Sequence, residues 1–147
     1  DMQLQSTDWP ERECISLTTA TQSKKHKIRL YDLALCAGTG NNIDDNVPYT
    51  EYETDEIYCD FALKVSGDSM EPDIPNGSIV LVKICDSVNS GEIGAFYYDG
   101  VAYCKRVLLK NGKCYLESIN SKYPTVEILP ENTLKVYGKI VGVEIDG

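Results

Sequence analysis

A serine stands in the run Val65-Ser66-Gly67-Asp68-Ser69-Met70-Glu71-Pro72, on a glycine-containing turn that follows an apolar stretch and is closed by a proline. A hydroxyl on such a turn is a nucleophile in search of a base, because serine attacks a carbonyl only when a neighbouring group takes its proton. The single histidine, His26, lies in a polar, basic tract and is a poor fit to the usual pairing. The base must come from another residue type.

The run Val101-Ala102-Tyr103-Cys104-Lys105-Arg106-Val107-Leu108-Leu109 offers one. Alternate residues of a strand share a face, so Lys105 interrupts a row formed by Val101, Tyr103, Val107 and Leu109. Burial there would disfavour the ammonium and lower the lysine pKa, and a neutral amine is a competent general base near neutral pH. Periodicity leaves a second reading open. The row faces solvent at an edge, or Lys105 lays its methylenes along the sheet and carries its charge to water.

The elements that must position these two residues are strands. At 147 residues the chain is the size of one domain. Residues 1–27 read as an interdomain linker or flexible arm ending in the basic cluster Lys24-Lys25-His26-Lys27, and Asp1 in place of a starting methionine reads as the beginning of a fragment. The domain is expected over 28–147. Ile28 to Leu35 has strand periodicity and runs into Cys36-Ala37-Gly38-Thr39-Gly40-Asn41-Asn42, a loop of small side chains; Asp44 to Tyr58 reads as a surface excursion. Further strands are expected over 58–65, 78–84, 93–98, 101–109, 113–119, 125–129 and 134–145. Asp99-Gly100 and Asn111-Gly112 form the hairpin turns between the middle ones. The fold class is mostly β, with strongly bent antiparallel sheets and little helix. The long last strand would be an exposed edge unless paired, and is then a candidate dimer contact; its reading as an internal core strand stands equally open.

Composition narrows the partners. A formal charge of −9 is unsuited to a phosphate-binding surface. No apolar run approaches the ~20 residues that span a bilayer, so a cytoplasmic protein with no membrane partner is expected. The six cysteines are evenly spread, without a C-x-x-C or a nearby histidine; free thiols, no metal and no cofactor are expected.

Taken together, Gly-Asp-Ser-Met-x-Pro after a strand, then Ile-Pro-Asn-Gly-Ser-Ile-Val-Leu-Val, Gly-Glu-Ile-Gly-Ala and Tyr-Cys-Lys-Arg-Val resemble the carboxy-terminal domain of the LexA and phage-repressor family of self-cleaving serine-lysine peptidases. The resemblance runs in one order over residues ~28–145, far longer than a short motif. It implies that Ser69 is the nucleophile and Lys105 its general base. It also implies that the scissile bond is Ala37-Gly38 in the chain's own upstream loop. Backbone amides of the turn Gly67, Asp68 and Ser69 would hold the oxyanion. It implies further a homodimer, a RecA filament on single-stranded DNA as co-protease in an SOS-type response, and operator DNA bound only through a missing amino-terminal helix-turn-helix domain. Three other readings stand beside it: a polymerase accessory protein of the UmuD kind, a signal-peptidase-like enzyme, which would need a membrane anchor, and a non-cleaving dimerisation module.

Overall fold

The computed structural model describes residues 26–37, 43 and 46–145. In chain order the elements are β1 (His26–Asp32), the one-turn helix α1 (Leu33–Cys36), β2 (Tyr49–Thr54), β3 (Phe61–Lys64), β4 (Ile79–Lys83), β5 (Ile93–Tyr98), β6 (Val101–Lys110), β7 (Lys113–Glu117), β8 (Val126–Ile128) and β9 (Leu134–Glu144). The strands form one sheet in the order β2-β1-β3-β4-β9-β5-β6-β7-β8. The fold is mostly β, as expected. The sheet is mixed rather than wholly antiparallel, because β1 runs parallel to β3.

The β5-β6-β7 meander follows from its turns. Asp99 (φ 49°) and Gly100 (φ 90°), then Asn111 (φ 53°) and Gly112 (φ 77°), adopt the left-handed conformation at both central positions. Two-residue turns of that type match the twist of the flanking strands. They set the registers Tyr98↔Val101 and Lys110↔Lys113, and with them every pair along β6.

Three expectations need correction. The strand begun at Ile28 starts at His26 and stops at Asp32, where the Asp32 Oδ1 accepts from the Ala34 amide at 3.0 Å and starts α1. An Asp ahead of Leu-Ala-Leu is an N-cap signal that competes with strand periodicity. The surface excursion contains a strand, β2, paired antiparallel to β1; its acidic exposed residues suit an edge, where charge deters further pairing. The strand expected from Tyr58 is confined to Phe61–Lys64. Of the two readings of the last strand, β9 takes the internal one, paired with β4 on one side and β5 on the other. The tract before residue 26, including Lys24 and Lys25, lies outside the described residues.

The main core joins Tyr31, Leu33 and Cys36 from the β1-α1 unit with Leu63, Val65, Met70, Ile74, Val80, Val82, Ala95, Cys104 and Tyr137. A second cluster around Phe96, Tyr98, Val107 and Leu116 fills the other face of the meander. Strand β6 contributes to both, which requires it to be covered on its two faces. Among the described residues no helix is long and apolar enough to cross a membrane.

Strand β9 bends to serve two neighbours. Its pairing skips a residue against β4, where Leu81 faces Gly142 and Val82 faces Ile140, and again against β5, where Ala95 faces Gly138 and Phe96 faces Val136. Such bulges sharpen the local twist. Gly138 lies between them, where a Cβ would sit 2.5 Å from the Lys83 carbonyl oxygen and 2.6 Å from Val82 Cγ1. Gly138→Ala is therefore expected to destabilise the domain by about 1–3 kcal/mol through overpacking, read as a lower urea midpoint with an unchanged slope.

Candidate active site

The turn that carries Ser69 is built by two interlocked loops. After β3, Val65 exchanges backbone hydrogen bonds with the next turn, its amide donating to Ser78 at 2.9 Å and its carbonyl accepting from Gly77 at 2.8 Å. Gly67 takes φ 98°, a conformation that favours glycine, and its amide donates to Asn76 Oδ1 at 2.7 Å. The Asn76 amide in turn donates to Glu71 Oε2 at 2.9 Å. Met70 and Ile74 are buried beneath the turn, joined by an Ile74 amide bond to the Met70 carbonyl at 2.8 Å. Ser69 therefore stands half-buried between anchored neighbours.

Lys105 is only 8% exposed, which resolves the open reading of its strand in favour of burial. Desolvation pulls the amine below the ordinary lysine range, opposed in part by the neighbouring Cys104. Its Nζ donates to Ser118 Oγ at 2.7 Å, and the rings of Tyr103 and Tyr123 each lie 5.8 Å from it. Ser118, itself buried, follows directly on β7. The register Arg106↔Glu117 places it opposite Lys105, so the Asn111-Gly112 turn already encoded this neighbour.

The segment that follows reaches back to the serine turn. The Asn120 amide donates to the Ser69 carbonyl at 2.8 Å, and its side chain donates to the Asp68 carbonyl at 3.0 Å. Tyr123 hydrogen-bonds the Asp68 carboxylate through its hydroxyl, and Lys122 pairs with it at 3.0 Å. The Tyr123 hydroxyl, then Lys122, hold the Asp68 carboxyl below the usual range. No pattern in the sequence announces these contacts across some fifty positions.

Ala37 is half-buried at the end of α1 with helical angles (φ −69°, ψ −20°); Gly38 lies outside the described residues. Helix α1 packs beside β6, and Cys36, one residue before Ala37, belongs to the same core cluster as Cys104, Val65 and Met70. Burial, then the Asp32 charge, pushes the Cys36 thiol up to about 12. Burial also raises Cys104 to about 12. The five described cysteines are free. The His26 ring hydrogen-bonds the Cys59 carbonyl at 3.1 Å. Among the described residues no group of three or more His, Cys, Asp or Glu side chains could hold a metal ion.

Comparison with known proteins places this β domain in a peptidase class. The chain belongs to the Peptidase S24-like family, whose model matches residues 30–141. It is similar to the LexA repressor of Paramagnetospirillum magneticum, 39% identical over 85 residues, which cover 56% of this chain and 36% of the relative. It is also similar to the LexA repressor of Cereibacter sphaeroides, 36% identical over 85 residues, covering 56% and 37%. The matched region thus spans just over a third of these relatives' length.

The depressed Lys105 pKa has a consequence for stability. In the unfolded chain the amine keeps a pKa of about 10.4, so between the lower folded value and that pH the unfolded state binds more protons. Stability contributed through Lys105 therefore rises as pH increases across this window and is lost as pH falls through the folded pKa. The difference in urea midpoint between the wild type and Lys105→Met should shift in the wild type's favour from pH 7 to pH 10; a constant difference would contradict a depressed amine.

Proposed function

We propose that this chain is the self-cleaving domain of a repressor of the LexA type, cutting its own Ala37-Gly38 bond with Ser69 as nucleophile and Lys105 as general base. The observation that carries the reading is the shared core. One cluster holds Cys36 beside the cleavage bond, Val65 and Met70 around the serine turn, and Cys104 next to the lysine. These are chain neighbours of Ala37, Ser69 and Lys105, and their packing in one cluster supports the reading.

The chemistry is an acyl transfer. The neutral Lys105 amine takes the Ser69 hydroxyl proton as Oγ attacks the Ala37 carbonyl carbon. The resulting ammonium gives its proton to the Gly38 nitrogen as the C–N bond breaks. Water then attacks the Ala37-Ser69 ester as Lys105 takes its proton, and the ammonium returns that proton to Ser69 Oγ as the ester C–O bond breaks, releasing the Ala37 carboxylate. The Gly67 amide is engaged by Asn76, which favours the amides of Asp68 and Ser69 as oxyanion donors. Ala37 in a helical conformation is not presented for attack, so the turn must unwind. The rate then scales with the fraction of molecules in the productive arrangement.

Residues 1–27 would link this domain to an operator-binding part, and the domain would pair two copies of the repressor, with a RecA filament on single-stranded DNA raising the productive fraction. A non-cleaving dimerisation module is the competing reading. Incubation of the purified chain at mildly alkaline pH should yield fragments 1–37 and 38–147, and Ser69→Ala or Lys105→Ala should slow this at least about a hundredfold. A wild type that stays whole for days, with or without activated RecA, would leave the dimerisation module as the better reading. Cleavage at a different bond would retain the dyad and remove Ala37-Gly38.

A further inference from the structure

A neutral amine acts as a base through one lone pair, and its two N–H groups decide where that pair points. Lysine reaches its nitrogen through four rotatable bonds, so an unheld Nζ in a buried pocket samples directions that do not face the nucleophile. In this structure Nζ is held, and the group holding it is Ser118, not Ser69.

We propose that Ser118 is the positioning residue of the dyad: its hydroxyl accepts one N–H of Lys105 and fixes the direction of the amine's lone pair. The proposal rests on the Ser69/Lys105 reading above. Its geometry has two independent supports. The β6-β7 register places Ser118 opposite Lys105, where both side chains are buried. Two residues on, Asn120 binds the Ser69 carbonyl through its amide and the Asp68 carbonyl through its side chain. One short segment therefore grips the base at one end and the nucleophile's backbone at the other, and fixes the distance between them.

The groups around the amine are accounted for. On its own strand these are the Cys104 thiol and the Tyr103 ring. From the 118–123 segment the Tyr123 ring approaches, its hydroxyl committed to Asp68, whose carboxylate is also paired with Lys122. Uncharged Ser118 is the group that hydrogen-bonds Nζ.

The test is the pH profile of self-cleavage in Ser118→Ala, Ser118→Cys and Ser118→Thr. Loss of the acceptor in the alanine and cysteine variants should lower the alkaline plateau by about ten- to a hundredfold, the scale of a misplaced catalytic group. It should also move the midpoint to lower pH, because a hydroxyl acceptor stabilises the ammonium more than the amine. Threonine should restore both. A plateau and midpoint equal to the wild type's in the alanine and cysteine variants, with folding confirmed by urea melts, would overturn the proposal. So would a loss of rate without a midpoint shift, the mark of a merely structural role. A second readout is independent of cleavage. In Ser69→Ala protein the Lys105 side-chain titration, followed by NMR of its ε-carbon, should move down when Ser118→Ala is added. An unchanged titration overturns the Ser118 role even if the wild type never cuts itself, whereas a silent wild type with a shifted titration overturns only the dyad reading.

Discussion

One constraint organises this domain: an amine must be kept out of water on a strand that is packed on both faces. Lysine is ordinarily a surface residue, and desolvating its ammonium costs free energy that the rest of the fold has to offset. The structure meets that cost locally. Strand β6 sends Cys104 into one core cluster and Val107 into another, so Lys105 has dry walls, and Ser118 supplies a polar contact for its nitrogen. The neighbouring thiol of Cys104, itself pushed up to about 12, only partly opposes the desolvation of the amine.

The same packing holds the serine turn. Its position does not depend on a single contact, because Gly67, Asn76 and Glu71 brace each other while Met70 and Ile74 fix the floor. The exposed rim is tied from the opposite side by Asn120, Lys122 and Tyr123. Exposed ion pairs contribute little stability, so the Asp68-Lys122 pair is better understood as orienting the residue before Ser69 than as supporting the fold.

What could be read from the sequence was what is local or periodic. Asp99-Gly100 and Asn111-Gly112 give their hairpins directly, since left-handed turns demand those residues, whereas the apolar row around Lys105 left burial and solvent exposure both open until the structure buried it. Order-preserving similarity over most of the chain implied a pairing of Ser69 with Lys105 across thirty-six positions, an expectation that periodicity alone does not give. The misses have the opposite character. At Asp32 a side-chain cap ends a strand whose alternation continues on paper. Strand β2 is polar because it lies at an edge, so burial leaves no alternating signature on it. Whether β9 is an edge or an interior strand stayed open in the sequence, because it depends on partners that no single stretch records. Ser118 was within reach through the hairpin register, whereas Asn120 and Tyr123 act through contacts with a turn distant in sequence.

The place of β1 gives the proposed cut an unexpected outcome. This strand precedes Ala37, yet it lies between β2 and β3, in register with both, and with Ile28, Tyr31, Leu33 and Cys36 of its unit buried. Breaking the chain after residue 37 would sever a covalent thread and leave the sheet continuous. The two products would remain a non-covalent pair until β1 is pulled from its slot. The lifetime of the two pieces together would then be a dissociation rate of a strand, separate from the rate at which the peptide bond is broken.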